Sequence, residues 1–423
     1  MVLRSRAATW GLVAACVIAA FWKLSEVPRA FTDSWAPMQA AIEVLEGPDR
    51  DRLYEDLFFD RGIKFQYPVT SLFYVKALRA VGIGSIPGLN LVNWFLLVAT
   101  AGLAAALAWQ LFRGSRWEPY RPAISAAAFL STVLYFPSAI ALRAGQIQVF
   151  SNLLFVGACL GILRAAEVAP GVLTGLATLI KPQLAPYFLV ALLRRQRRFA
   201  VAMAAVVASV TAISALVFGL GNQLSYLKVL RFISRHGESY FWNNSVNGIM
   251  HRLLGNGSAT DIVKTEGIWH SPFPPFNATV YVVTLVSGIA FLALPFVASR
   301  LVPPDRSDRV TELLLFVLTG LALVMASPVA WVHHYAVLLP AFLVLLRAIS
   351  DEPPGPGSPW MAYLLGFSYL LTAFDYPYLY DLTGLPSLIY VPTFAGALVV
   401  LGLLLLVVRN RGRDAAQKKL LAT

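Results

Sequence analysis

Asp33, in the run Phe31-Thr32-Asp33-Ser34-Trp35, is a carboxylate with two possible uses. At the start of a helix, capped by Thr32 or Asp33, it would accept hydrogen bonds from free backbone N–H groups. Beside a lipid interface and partly out of water, it would hold its proton more tightly and serve as a general base, taking the proton from a hydroxyl as that oxygen attacks. It is one of nine acids, of 22 in the chain, that fall between the first two apolar stretches. Apart from Glu26, the others (Glu43, Glu46, Asp49, Asp51, Glu55, Asp56 and Asp60) read as the solvated side of a folded loop.

Further groups able to do chemistry interrupt apolar sequence. The run Ser327-Pro328-Val329-Ala330-Trp331-Val332-His333-His334-Tyr335 holds two of the five histidines. Neighbours on a helix point about 100° apart, so the pair cannot chelate one metal as an i, i+4 pair would. It reads either as an interfacial aromatic belt or as one imidazole donating to a phosphate or hydroxyl while the other orients it. Lys181, before Pro182, is a lone ammonium in an apolar run; such a charge faces an anion or a wet cavity, and a lipid phosphate would satisfy it. Arg143 and Gln146 are polar insertions as well, though Arg143 also reads as a snorkelling helix end. Asn244 and Asn247, in Asn243-Asn244-Ser245-Val246-Asn247-Gly248, offer amides for sugar hydroxyls or for a turn.

Other chemistry leaves no mark. There is no Walker-type loop, no Rossmann glycine fingerprint and no inward-facing Asp-x-Asp pair, and Asp49-Arg50-Asp51 falls in an outer loop. Cys16 and Cys159 sit in apolar runs, which supports neither a disulfide framework nor a thiolate metal site.

What must position these residues is a membrane bundle. With 58% hydrophobic and 13% charged residues, too little polar surface exists to cover a soluble protein. The net charge of +12 is split among helix-end clusters such as Arg194-Arg195-Gln196-Arg197-Arg198 and Arg409-Asn410-Arg411-Gly412-Arg413, the pattern of cytoplasmic loops and not of a nucleic-acid patch. Arg4 and Arg6 precede an apolar run without a convincing cleavage site, so it reads as an uncleaved first helix. Spans are expected near 8–24, 67–84, 88–112, 122–142, 147–164, 169–193, 199–220, 277–299, 312–327, 333–349, 360–375 and 388–408. The whole of 1–423 is thus one integral membrane domain, all-α and polytopic, with about twelve transmembrane helices and large outer loops at 25–66 and 221–276. Pro353-Pro354-Gly355-Pro356-Gly357 is a connector.

Within 25–66, a helix ending at Gly47-Pro48 carries Trp35, Met38, Ile42 and Leu45 on one face, and a second short one carries Leu53, Tyr54, Leu57 and Phe58; both read as interfacial. One loop conflicts with this topology. Arg113, Arg116 and Arg121 come out on the outer side, against the positive-inside pattern. A miscounted span near Lys181-Pro182-Gln183, broken or re-entrant, would explain it and allow thirteen.

Taken in order, these segments resemble glycosyltransferase family 87, bacterial membrane enzymes of the GT-C fold. The likeness runs through Phe31-Thr32-Asp33, Tyr67-Pro68, Gly145-Gln146, Lys181-Pro182-Gln183, Asn243 to Gly248 with Arg252-Leu253-Leu254-Gly255, and Ser327-Pro328 with Trp331 and His333-His334. The resemblance implies an inverting transfer of a sugar, mannose above all, from a polyprenyl-phosphate donor to a lipid or glycan acceptor outside the bacterial cytoplasmic membrane. Asp33 would be the base, and Lys181, His333, His334, Arg143 and Gln146 would hold the donor. Asn244, Asn247 and Tyr67 would meet the acceptor or sugar, with no metal and no cofactor. Val69 after Pro68, and Trp35 where the family has tyrosine, depart from the pattern. The competing reading is a transporter or flippase of lipid-linked saccharides, which would share the polar cavity and the basic residues but need no base.

Overall fold

Apolar runs become helices in hydrocarbon because each backbone N–H and C=O must be satisfied within its own segment. The computed structural model describes residues 6–351, 358–375 and 391–422, so the connector 353–357 and the start of the last expected span lie outside the described residues. The chain is almost wholly helical, with a single short hairpin among the described residues, β1 (Val263–Thr265) and β2 (Ile268–His270). It is an all-α, multi-pass membrane protein.

Among the described residues seven helical segments are long and apolar enough to cross a membrane. They belong to α1 (Arg6–Leu24), α4 (Ile86–Leu111), α10 (Arg197–Phe218), α13 (Ala278–Leu301), α14 (Arg309–Ala326), α15 (Leu338–Asp351) with the 3-10 turn Val332–Val337 before it, and α17 (Pro392–Ala422). An eighth is bent by 43° between α5 (Arg121–Leu134) and α6 (Phe136–Arg143), where Pro137 opens α6 and cannot donate to the turn before it. The helices α7 (Gln148–Leu163) and α16 (Ser358–Ala373) have 16 residues each, about 24 Å. The axis of the bundle is α14, apolar all round and buried from Leu313 to Met325.

Two of the expected spans do not cross. The stretch 67–84 forms a 3-10 turn (Val69–Ser71) and α3 (Leu72–Ala80), whose nine residues reach only about 14 Å against about 30 Å of hydrocarbon. The stretch 169–193 is a hairpin of α8 (Val168–Thr178) and α9 (Pro186–Leu193). Its turn lies at Lys181, which the following proline holds out of the helical region at φ −129°, ψ 88°. Its two ends lie together: Glu167 pairs with Arg198 at 3.2 Å, and both line a cavity of about 430 Å³ with Ile162, Arg197, Arg309 and Glu312. Lys181 is therefore at the tip of a re-entrant element.

With α3 not crossing, the anomaly at 113–121 disappears. The helix α4 carries the chain to the end of the bundle where Arg347 Nε donates to the Leu111 carbonyl (2.9 Å) and Arg411 pairs with Asp308 (3.0 Å). Arg194 reaches the carbonyl of Ser299 (3.1 Å) and pairs with Glu312 at this same end. The basic clusters near 113–121, 194–198, 300–311 and 409–413 are thus gathered at one end, as one side of a membrane requires.

The opposite end carries the polar loops, which are largely folded. In the first, α2 (Trp35–Glu46) buries Trp35, Met38 and Ile42 completely in a cluster with Tyr54, Leu89 and Ile147, so its apolar face is covered by protein. The expected second helix is a 3-10 turn (Arg50–Arg52) and a π-helix (Glu55–Asp60), with Leu53, Tyr54, Leu57 and Phe58 buried. The second holds α11 (Leu220–His236), α12 (Val246–Leu253) and the β hairpin.

Candidate active site

The backbone around Asp33 is held by the turn after α6. Phe31 N–H donates to the Arg143 carbonyl (2.7 Å), Asp33 N–H to Ala144 (3.1 Å) and Ser34 N–H to Gly145 (3.3 Å). Gly145 is required, because its φ is +63° and a Cβ would stand 2.1 Å from the Phe31 carbonyl oxygen. The capping role of Thr32 or Asp33 does not occur. Ser34 is the N-cap of α2 and makes no side-chain cap bond, its hydroxyl donating instead to Gln146 Oε1 at 2.6 Å.

Gln146 Oε1 also accepts from the Tyr67 hydroxyl (3.1 Å), which itself lies 2.9 Å from Ser34 Oγ. With its carbonyl oxygen so engaged, the amide has only its NH₂ to turn toward Asp33, and it donates to Oδ2 at 3.3 Å. The Asp33 side chain is half-buried. Burial is the main reason its pKa is pushed up to about 7; the Gln146 hydrogen bond opposes the rise, and the negative charge of Glu238 adds to it.

Glu238 reveals what reading the sequence missed. It is 1% exposed, and its Oε1 accepts from Lys64 Nζ (2.7 Å) and Gln66 Nε2 (3.1 Å), while its Oε2 accepts from the Trp331 indole. The two long polar loops and the Trp331-His333-His334 block therefore meet at one carboxylate. Gly237, at φ +59°, makes this approach possible, since a Cβ there would lie 1.8 Å from Asn247 Oδ1. The available signal was faint: an isolated acid after Lys228, Arg231 and Arg235, and a lone lysine late in the acidic loop.

From Trp331 the row continues inward. Its ring is 5.7 Å from that of His333, and the His333 and His334 rings are 4.5 Å apart at 83°. Lys181, 8% exposed at the hairpin tip, lies within electrostatic range of both imidazoles, and no hydrogen bond or ion pair engages its ammonium among the described residues. Asp33 with Gln146, Glu238, Trp331, the two histidines and Lys181 thus follow one another by contact or electrostatic coupling, the carboxylates at one end and the lysine at the other.

Other expected residues have different surroundings. The Arg143 side chain is exposed, and it is the Arg143 carbonyl that serves the site. Asn247 accepts from the Glu238 N–H (3.1 Å) and donates to Thr284 (3.2 Å). Asn244 donates to the Phe241 and Trp242 carbonyls, and its own carbonyl accepts from Tyr335. Both amides thus help hold the loop, and the buried Oδ1 of Asn244 has no hydrogen-bond partner among the described residues. Tyr67 lies in the network beneath Asp33.

Residues 65–328 match the profile of glycosyltransferase family 87, a stretch that includes Tyr67, Gln146, Lys181 and Glu238 but neither Asp33 nor the two histidines. A curated relative is the polyprenol-phosphate-mannose-dependent alpha-(1-2)-phosphatidylinositol pentamannoside mannosyltransferase of Mycobacterium tuberculosis (strain CDC 1551 / Oshkosh), 30% identical over 240 residues. Those residues are 56% of this chain and 47% of the relative, so the likeness spans about half of that protein's length. Because the family profile covers more than half of a chain that folds as a multi-pass helical bundle, the chain belongs to glycosyltransferase family 87.

Proposed function

We propose that the protein transfers a sugar, most simply mannose, from a polyprenyl-phosphate donor to a hydroxyl of a lipid or glycan acceptor, on the outer face of a bacterial cytoplasmic membrane. Asp33 takes the hydroxyl proton as the oxygen attacks the anomeric carbon from the side opposite the phosphate. The anomeric C–O bond breaks, polyprenyl phosphate leaves, and one displacement inverts the centre. Lys181, with His333 or His334, meets the charge growing on the departing phosphate. The donor is supported by the relative's name, and the outer face by the gathering of basic loops at the end away from Asp33.

The observation that carries this reading is the state of Asp33: a half-buried carboxylate held by an amide and free of helix capping, with a pKa of about 7, in one row with an unpaired buried ammonium. Such a base is about half ionised near neutral pH and, where ionised, is strong enough to take a proton. The test is Asp33→Asn and Asp33→Ala in membranes supplied with polyprenyl-phosphate-mannose. Turnover falls by about 10²–10⁴-fold, the range for a positioned base, while the variants still bind donor. Turnover like that of the parent would overturn Asp33 as the base, whereas no transfer by the parent itself would leave a carrier of lipid-linked saccharides as the better account.

A further inference from the structure

We infer that Glu238 is a positioning residue of the transfer, a buried carboxylate clamped between the two outer loops that fixes the Trp331 indole and holds negative charge beside the base. The inference rests on Asp33 being that base.

A buried ion pair is a poor way to gain stability, since apolar residues of the same volume do as well or better. Lys64 and Glu238 are nevertheless both buried, with side chains 8% and 1% exposed. Both oxygens of the Glu238 carboxylate are engaged, from two different elements: Oε1 by Lys64 and Gln66 of the first outer loop, and Oε2 by Trp331 of the segment before α15. Its backbone is held as well, the N–H by Asn247 Oδ1 (3.1 Å) and the carbonyl by Asn243 Nδ2 (2.8 Å). Lys64 is further confined, its ammonium lying 3.7 Å from the Phe273 ring centroid.

Two consequences reach the reacting groups. The Trp331 indole, hydrogen-bonded on one side, packs near His333 and against Tyr240 (5.7 Å between centroids), so freeing it loosens the packing beside His333. The charge acts too. The groups around Asp33 are Gln146 and Tyr67 from below and Glu238 and Tyr240 from the second loop; Glu238 is the negative one, with Lys64 balancing it from behind. Removing that negative charge makes Asp33 easier to ionise, and the uncompensated Lys64 acts in the same direction.

The experiment is the pH dependence of kcat/KM for sugar transfer in proteoliposomes, comparing the parent, Glu238→Gln, Glu238→Gln with Lys64→Met, and Asp33→Asn. The acid limb of Glu238→Gln moves to lower pH by roughly half to one unit, as for a like charge removed from beyond direct contact. The double variant, which leaves no buried charge unpaired, keeps the fold if the single one does not, and its limb lies between the other two. A folded Glu238→Gln or double variant with the parent's limb, or with a uniform loss at every pH, overturns the inference while an inactive Asp33→Asn leaves the base in place. Parent-like turnover in Asp33→Asn would instead remove the reading beneath it.

Discussion

Gln146→Met removes the one hydrogen bond that favours the ionised form of Asp33 while keeping an unbranched side chain of similar length. The bond is 3.3 Å long, so it belongs at the weak end of hydrogen bonds to charged groups, about 1.5 kcal/mol. That is about one pKa unit, taking Asp33 from about 7 to about 8. The sign follows from which form is stabilised: losing a donor to the carboxylate favours the protonated acid, so the ionised base is reached only at higher pH. At pH 7 the ionised fraction falls from about one half to about one tenth, so kcat/KM drops about fivefold, and the deficit closes above about pH 9. The assay is the pH profile of sugar transfer from polyprenyl-phosphate-mannose between pH 5.5 and 9.5, each variant measured beside the parent in the same lipid. An acid limb that stays in place, or an equal loss across the whole range, refutes the chain from Gln146 to Asp33. Its direction is opposite to that expected of Glu238→Gln, so a general loosening of the site cannot produce both results.

Gly145→Ala forces a side chain into the left-handed region, at about 1–2 kcal/mol, and sets a Cβ 2.1 Å from the Phe31 carbonyl oxygen. The strands of backbone at 31–34 and 143–145 must part, lowering the unfolding temperature in detergent and kcat together. Lys181→Met removes a charge-assisted contact to the donor phosphate of about 1.5–3 kcal/mol, so donor affinity falls about 10–100-fold, read by titration with the polyprenyl-phosphate sugar. Arg194→Met serves as a control at the far end, about 24 Å along α7. It strips the buried partner from Glu312 and destabilises by about 3–5 kcal/mol without moving the acid limb, checked by thermal unfolding and the pH profile side by side.

Asp33 could be picked out from the sequence because a carboxylate near a turn signal in so apolar a chain has few bland explanations, and Lys181 because a lone ammonium before a proline has fewer still. The pairings could not. Gln146 stands out in the sequence, but nothing there sets it against Asp33 across 113 positions or Glu238 against Lys64 across 174, and local pattern carries no information at such separations. Glu238 was further hidden by its neighbours, since an acid after Lys228, Arg231 and Arg235 reads as the solvated side of a helix. Hydropathy found nearly every helix but miscounted the crossings, because the run around α3 is apolar enough to pass for a span despite Lys76 and Arg79, and the α8–α9 hairpin is as apolar as true ones. What separates them is length in one case and the position of both ends in the other. Asn244 and Asn247 show a related ambiguity: an amide suited to sugar hydroxyls is equally suited to protein partners, and here Asn247 joins the Glu238 N–H to Thr284 while Asn244 donates to two backbone carbonyls.

The hairpin also explains how a membrane protein can keep an unpaired ammonium below its surface. Lys181 N–H closes the last turn of α8 on the Ala177 carbonyl (2.9 Å), so the residue sits at the negative end of one helix, where a cation is favoured. The next helix, α9, begins at Pro186 and points its positive end at the same turn, where an arriving phosphate is favoured. At the opposite end of the row, Glu238 and burial raise the proton affinity of Asp33. Sugar transfer from a lipid phosphate sends a proton one way and negative charge the other, and stabilising both at once needs an acceptor of protons and an acceptor of anions kept apart by about the width of a sugar. A crossing helix would carry Lys181 through the membrane on a rigid axis. A hairpin lets the same residue rise from the far end and stop beside His333 and His334, so that on the proposed mechanism the break at Pro182 serves the chemistry as well as the fold.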